Sequence, residues 1–151
     1  MGVIRGLPFP VSDVHTSPEL PVGTIVVDDG DYDYVYRKVD ALSATTAVGD
    51  VMSLMATDDD VTEDHSTGTG IYGGVAINVV AADEYSLFAY TGDNITAAVT
   101  TSMAAGVSLN VDTGTADTTF EAKAAATETA VGQAKAAESG GTTTVIIFGR
   151  R

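Results

Sequence analysis

The chain has no cysteine and no tryptophan, few basic residues, and no proline beyond residue 21. Without cysteine, neither disulfides nor thiolate metal sites can hold the fold together. Lys and Arg number 7 against 21 Asp and Glu, a formal net charge of -14. Such a surface repels phosphate backbones and anionic bilayers, because nucleic-acid affinity rests largely on Lys and Arg displacing counterions. Nucleic acid and membrane are therefore not expected partners. The longest apolar runs, such as the one ending 142–148, fall far short of the roughly 20 residues of a membrane helix. The first ten residues also lack the apolar core of about 7 to 15 residues found in a signal peptide. A soluble product made in the cytoplasm is expected.

What is present is enough to fold. Of the 151 residues, 44% are hydrophobic and 19% charged, a globular balance for one domain. Pro8, Pro10, Pro18 and Pro21 keep the first 22 residues extended, so 1–22 reads as an N-terminal arm and 23–151 as a β domain. From Gly23 onward, β-branched and aromatic runs alternate with Gly, Asp, Asn and Ser/Thr breaks at short intervals. The expected strands are 24–27, 32–39, 50–55, 71–79, 85–90, 107–111, 118–123, 129–137 and 142–148. Breaks are expected at 28–30, 91–94 and 139–141. The alanine-rich segment 121–130 is read as loop and strand because threonines and Gly132 flank it. The unbroken apolar run at 145–148 predicts burial on both faces. The fold class is all-β, a small β-barrel or sandwich with an extended arm.

The second half of the chain echoes the first. GDVMSL from Gly49 lies over GVSLNV from Gly106, and GVAINVV from Gly74 over GQAKAAE from Gly132. These positions are 57 and 58 residues apart. Leu87, Phe88 and Tyr90 then fall over Val145, Ile146 and Phe148. The pattern predicts two pseudo-repeats, each completing the other's core.

No segment carries a catalytic signature. GTGIYG, 68–73, matches a dinucleotide-binding glycine pattern, but it follows acidic residues and precedes a strand rather than a helix. Asp29, Asp31 and Asp33 match the first ligand positions of a calcium loop, yet Tyr34 stands where glycine is required. The acids at 58–64 with His65 read as a solvated loop. His15 and His65 fall in segments expected to be mobile, which makes each a poor general base. No catalytic residue, metal ligand or cofactor is assigned, and the chain is not expected to be an enzyme. Partner contact is expected instead from Ile4, Leu7, Phe9 and Val11 on the arm. Tyr32, Tyr34 and Tyr36, which share one strand face, either line the core or meet a partner.

VGDVMSL at 48–54, GGVAINVVAADEYSLFAYTGD at 73–93, AAGVSLNV at 104–111 and VGQAKAAESGGTTTVIIF at 131–148 together resemble the head decoration, or capsid cement, proteins of tailed bacteriophages. The likeness covers about two thirds of the chain and leaves out the arm. It implies a structural virion protein on the capsid exterior that bridges subunits of the major capsid protein, itself a homo-oligomer, trimer or dimer, on the shell. The alternative is a phage tail, fibre or bacterial surface β-domain that binds protein or glycan. On the first reading the arm binds the capsid, and deleting residues 2–22 would leave the melting temperature nearly unchanged.

Overall fold

Segment 85–98 forms one continuous strand in the computed structural model of the protein, which describes residues 2–111, 118–124 and 129–148. Among these, all regular secondary structure is β. In chain order the strands are β1 Val3–Arg5, β2 Val14–His15, β3 Ile25–Val27, β4 Tyr32–Lys38, β5 Val51–Leu54 and β6 Val61–Thr62. They continue as β7 Tyr72–Ala76, β8 Tyr85–Ala98, β9 Ser108–Val111, β10 Phe120–Ala122, β11 Gly132–Ala134 and β12 Thr142–Ile147. The main path runs β1-β3-β4-β8-β12-β11-β9-β10, with β7 joining β5 to β8. Among the described residues its ends do not meet, so the sheet stays open without barrel closure. The small sandwich is the alternative that fits.

The expected break at 91–94 is a bend within β8. Gly92 and Asn94 take positive φ, and the register shifts opposite Asp33/Tyr34 and opposite Val145/Ile147. These bulges turn the strand without ending it. The N-terminal half of β8 therefore pairs with β4 and β7, and the C-terminal half with β12.

The repeat is structural. The order β6-β5-β7-β8 in the first half recurs as β10-β9-β11-β12 in the second, with every pairing antiparallel. Gly49 N–H donates to Ala76 O as Gly106 N–H does to Ala134 O. Val39 bridges Val61 in parallel as Val99 bridges Phe120. Gly74 and Gly132 show why sequence and structure repeat together. A Cβ on Gly74 would lie 2.8 Å from the Phe88 Cβ, and one on Gly132 would strike the backbone of Ile146, next to Val145, which pairs with Ala134 as Phe88 pairs with Ala76, one residue away from the match the sequence suggests. Both positions must stay bare for the neighbouring strand to approach.

Two expectations are corrected. β12 alternates: Thr143, Val145 and Ile147 are buried, Ile146 is half-buried and Phe148 is 55% exposed. An apolar run had implied two covered faces, but only one is packed, because the other opens on a cleft. The arm, whose deletion was expected to leave the melting temperature nearly unchanged, is built into the sheet: β1 pairs parallel with β3 and β2 antiparallel with β8. Of the alanine-rich segment, 125–128 lies outside the described residues, and its start falls in β10.

Candidate docking surface

The prolines keep the arm extended, and its own residues fasten it to the body. Ile4, Phe9, Val11 and Leu20 pack on a cluster of Val26, Tyr34, Tyr36 and Leu87. The Phe9 ring meets His15 edge-on at 4.5 Å and Tyr36 at 5.8 Å. His15 Nδ1 lies 3.1 Å from the Tyr36 hydroxyl, which also accepts the Glu19 N–H. Asn78 Nδ2 donates to Val11 O and the Ser86 hydroxyl to Asp13 O, tying the arm to the sheet at two further points. His15 is thus a packing residue rather than a mobile one.

This arrangement sorts the seven residues expected to meet a partner. Tyr36 is fully buried and Tyr34 nearly so, and burial pushes the Tyr34 phenol up to about 12. Those two tyrosines serve the core, as the strand-face reading allowed. Ile4, Phe9 and Val11 are half-covered by the protein's own cluster, which leaves Leu7 exposed and Tyr32 half-buried at the rim of a cleft. The arm's outward apolar residues are Val3, Leu7 and Val14. Val3 and Val14 escaped sequence reasoning because only strand pairing decides which face of so short a segment points outward.

The cleft, about 850 Å³, lies between the β3–β4 turn, the bend of β8 and the end of β12. Asp28, Asp31, Asp33 and Asp93 line it together with Tyr32, Ile146 and Phe148, and Arg5 of the arm reaches one wall. These carboxylates come from two segments 60 residues apart, Asp33 to Asp93. Asn94 Nδ2 donates to Asp31 Oδ2, and Lys135 Nζ lies 2.6 Å from Asp93 Oδ1. The Lys135 ammonium holds the Asp93 carboxyl below its ordinary value. Among the described residues, no group of three or more His, Asp or Glu is arranged to hold a metal ion. Asp31 and its neighbours instead fix turns and face solvent around an apolar floor.

Comparison with protein-family models, with curated proteins and with solved structures finds no match to this chain. What the surface can do follows from its own chemistry.

The remaining singled-out residues serve the fold. His65 is buried and its Nε2 donates to Val51 O at 2.6 Å, so it staples the acidic loop to β5 instead of projecting from it. Gly73 of the glycine-rich string lies within β7 and accepts the Nε–H of buried Arg37 at its carbonyl. Burial lowers the Arg37 guanidinium. Lys38 Nζ bridges Asp83 Oδ1 at 2.9 Å and Asp60 Oδ2 at 3.1 Å, and hydrogen bonds to both carboxylates raise its pKa. Asp60 is also raised, because burial outweighs the help from Lys38.

The signs differ. The raised Asp60 carboxyl favours folding as pH falls through its folded value. The raised Lys38 ammonium contributes fully below its ordinary 10.5 and is lost only as pH climbs through its folded value. Lys38→Met should therefore cost about 1–3 kcal/mol in urea unfolding at pH 7, where Asp60 is left charged and unpaired. The deficit should shrink near pH 4 as Asp60 takes up a proton. An equal deficit at both pH values would show that Asp60 does not carry the effect.

Proposed function

We propose that this chain is a structural virion protein that binds the outer surface of an assembled phage capsid and bridges subunits of the major capsid protein, as a homo-oligomer on the shell. One observation carries the reading. Val3 and Leu7 are exposed on an arm pinned to the sheet, two residues to either side of Arg5, which helps to line a carboxylate-rimmed cleft with an apolar floor. Apolar groups give a protein contact its affinity, and a negative rim steers and orients a basic patch on the partner. Because the arm is already fastened, little backbone entropy is lost on docking. Many weak contacts of this kind, repeated over a shell, resist its expansion together.

The test uses undecorated shells in a pelleting assay. Replacing Val3, Leu7 and Val14 with serine removes mainly outward apolar surface, so the melting temperature should fall by no more than about 5 °C, well short of the loss expected for deleting the arm, while affinity falls at least about tenfold. Unchanged pelleting would overturn the arm's role. Failure of the intact protein to pellet, together with binding to a glycan array, would replace the capsid reading with a surface-binding one.

A further inference from the structure

The two repeats form the same ladder with different loops, so each serves as a control for what the other's fold requires. Asp40 and Thr100 are equivalent, since each donates its N–H to the partner strand, at Val61 O and Phe120 O. Gly49 and Gly106 are equivalent by their bonds to Ala76 O and Ala134 O. Between these anchors the first loop is three residues longer, 40 to 49 against 100 to 106. The longer loop holds Leu42 in solvent, 94% exposed, whereas the shorter one tucks Met103 inward at 5%. Val48, 62% exposed, precedes Gly49 where Ala105 precedes Gly106. Val79, 63% exposed, precedes Val80 where Ala137 precedes Glu138, and Val80 and Glu138 bind their own loops, at Thr46 Oγ1 and Met103 O.

Leu42, Val48 and Val79 are thus apolar where the fold manages with a shorter loop and two alanines. Single exposed apolar side chains are ordinary, but three on adjoining loops of one repeat are an excess the architecture does not need. The loops are held firmly. Thr46 N–H donates to Val80 O, the Thr46 hydroxyl to Asn78 O, and Val80 N–H returns to the Thr46 hydroxyl. Carboxylates surround them: Asp40 caps Leu42 N–H, Glu63 caps Ala44, Asp50 caps Ala47 and Glu84 caps Ala81. Lys38, on the strand leading into this end, is already engaged by Asp60 and Asp83.

We infer that loops 40–49 and 77–84 form a second docking surface, for a partner protein that presents an apolar group inside a rim of basic side chains. A second copy does not fit, because the same carboxylates would face one another on chains of net charge -14. The surface lies at the Lys38 end of β4, and the cleft described above lies at its Tyr32 end. The inference therefore stands whether or not the partner is a shell.

The probe is a twelve-residue peptide of alternating leucine and arginine, titrated into the full ¹⁵N-labelled protein, with a leucine–glutamate peptide as control. Amide shifts are expected at 41–48 and 77–81 with the arginine peptide alone. Leu42→Ser with Val48→Ala and Val79→Ala should bind at least about tenfold more weakly, with an unchanged melting temperature, because the alanines are what the other repeat carries. If the triple variant does not fold, Leu42→Ser alone is read. Shifts confined to the cleft, no shifts, equal affinity of the variant, or a response to the glutamate peptide would each overturn the inference. So would self-association in sedimentation that the variant abolishes, since it would make the occupant a second copy.

Discussion

Deleting residues 2–22 is expected to lower the melting temperature by roughly 10 °C or more, the reverse of what a free arm would give. The arm contributes Ile4, Phe9, Val11 and Leu20 to the cluster around Tyr36. Half-burying four such side chains is worth about 1 kcal/mol each, and in a domain this size each kcal/mol moves the transition by about 2–4 °C. The deletion also uncovers Val26, Tyr36 and Leu87, each almost fully buried in the intact chain, and leaves the Tyr36 hydroxyl without His15 and the Glu19 N–H. It frees the outer edge of β3 as well, exposing a row of unpaired backbone groups. Calorimetry of the intact and shortened proteins checks this, and equal melting temperatures would show the arm to be energetically separate. The serine variants of Val3, Leu7 and Val14 are accordingly the sound test of docking, since deletion confounds binding with stability.

The sequence showed that the arm was extended and apolar but not where its apolar side chains would go. Prolines fix φ and deny helix to the segment, which is a local effect. Whether Phe9 meets Tyr36 or a partner depends on Tyr36 and Tyr85 standing 49 residues apart in sequence and stacked at 6.1 Å in space, and no local pattern records that pairing. The period-two tyrosines were legible as one face of one strand. β1, β2 and β6, of two or three residues each, were not, because strands so short exist only through the neighbour they pair with.

The repeat was the most productive sequence signal, and its physical basis explains why. Gly74 and Gly132 must be glycine for a neighbouring strand to pass, so they persist as markers of the same position in both halves. Apolar positions facing the core, such as Phe88 opposite Ala76 and Val145 opposite Ala134, match for the same reason. Loops are released from that constraint, which is why Leu42 sits in a longer loop, Val48 and Val79 correspond to alanines in the other repeat, and the offset drifts between 57 and 60 residues. The cleft was illegible for the opposite reason. Its acids read as two unrelated turns until the bend of β8 brings Asp93 beside Asp31, where Asp93 N–H donates to Asp31 O at 2.9 Å.

Removing residues 142–151 is expected to abolish folding outright. β12 lies mid-sheet, pairing with the C-terminal half of β8 from Thr142↔Ala98 to Ile147↔Gly92 and with β11 from Gly132↔Ile147 to Ala134↔Val145. Without it β9, β10 and β11 lose their main-path link to β8 and stay tied to the first repeat by the short contacts of Val99 and Thr100 with Phe120 and of Val51 with Thr118. Val145 and Ile147 are at most 2% exposed in the cluster they share with Ile95, Leu109 and Phe120. Fully burying two such side chains is worth about 3–6 kcal/mol, and the lost ladder leaves further buried N–H and C=O groups of β8 and β11 without partners. A domain stabilised by about 5–15 kcal/mol in total does not survive that loss. The control is Phe148→Ser in the full chain, where a 55% exposed ring is removed and the ladder is kept. It should fold with a melting temperature close to that of the intact protein. Soluble expression of the truncated chain with a dispersed amide spectrum would show that the first repeat folds by itself, and that β8 does not need β12.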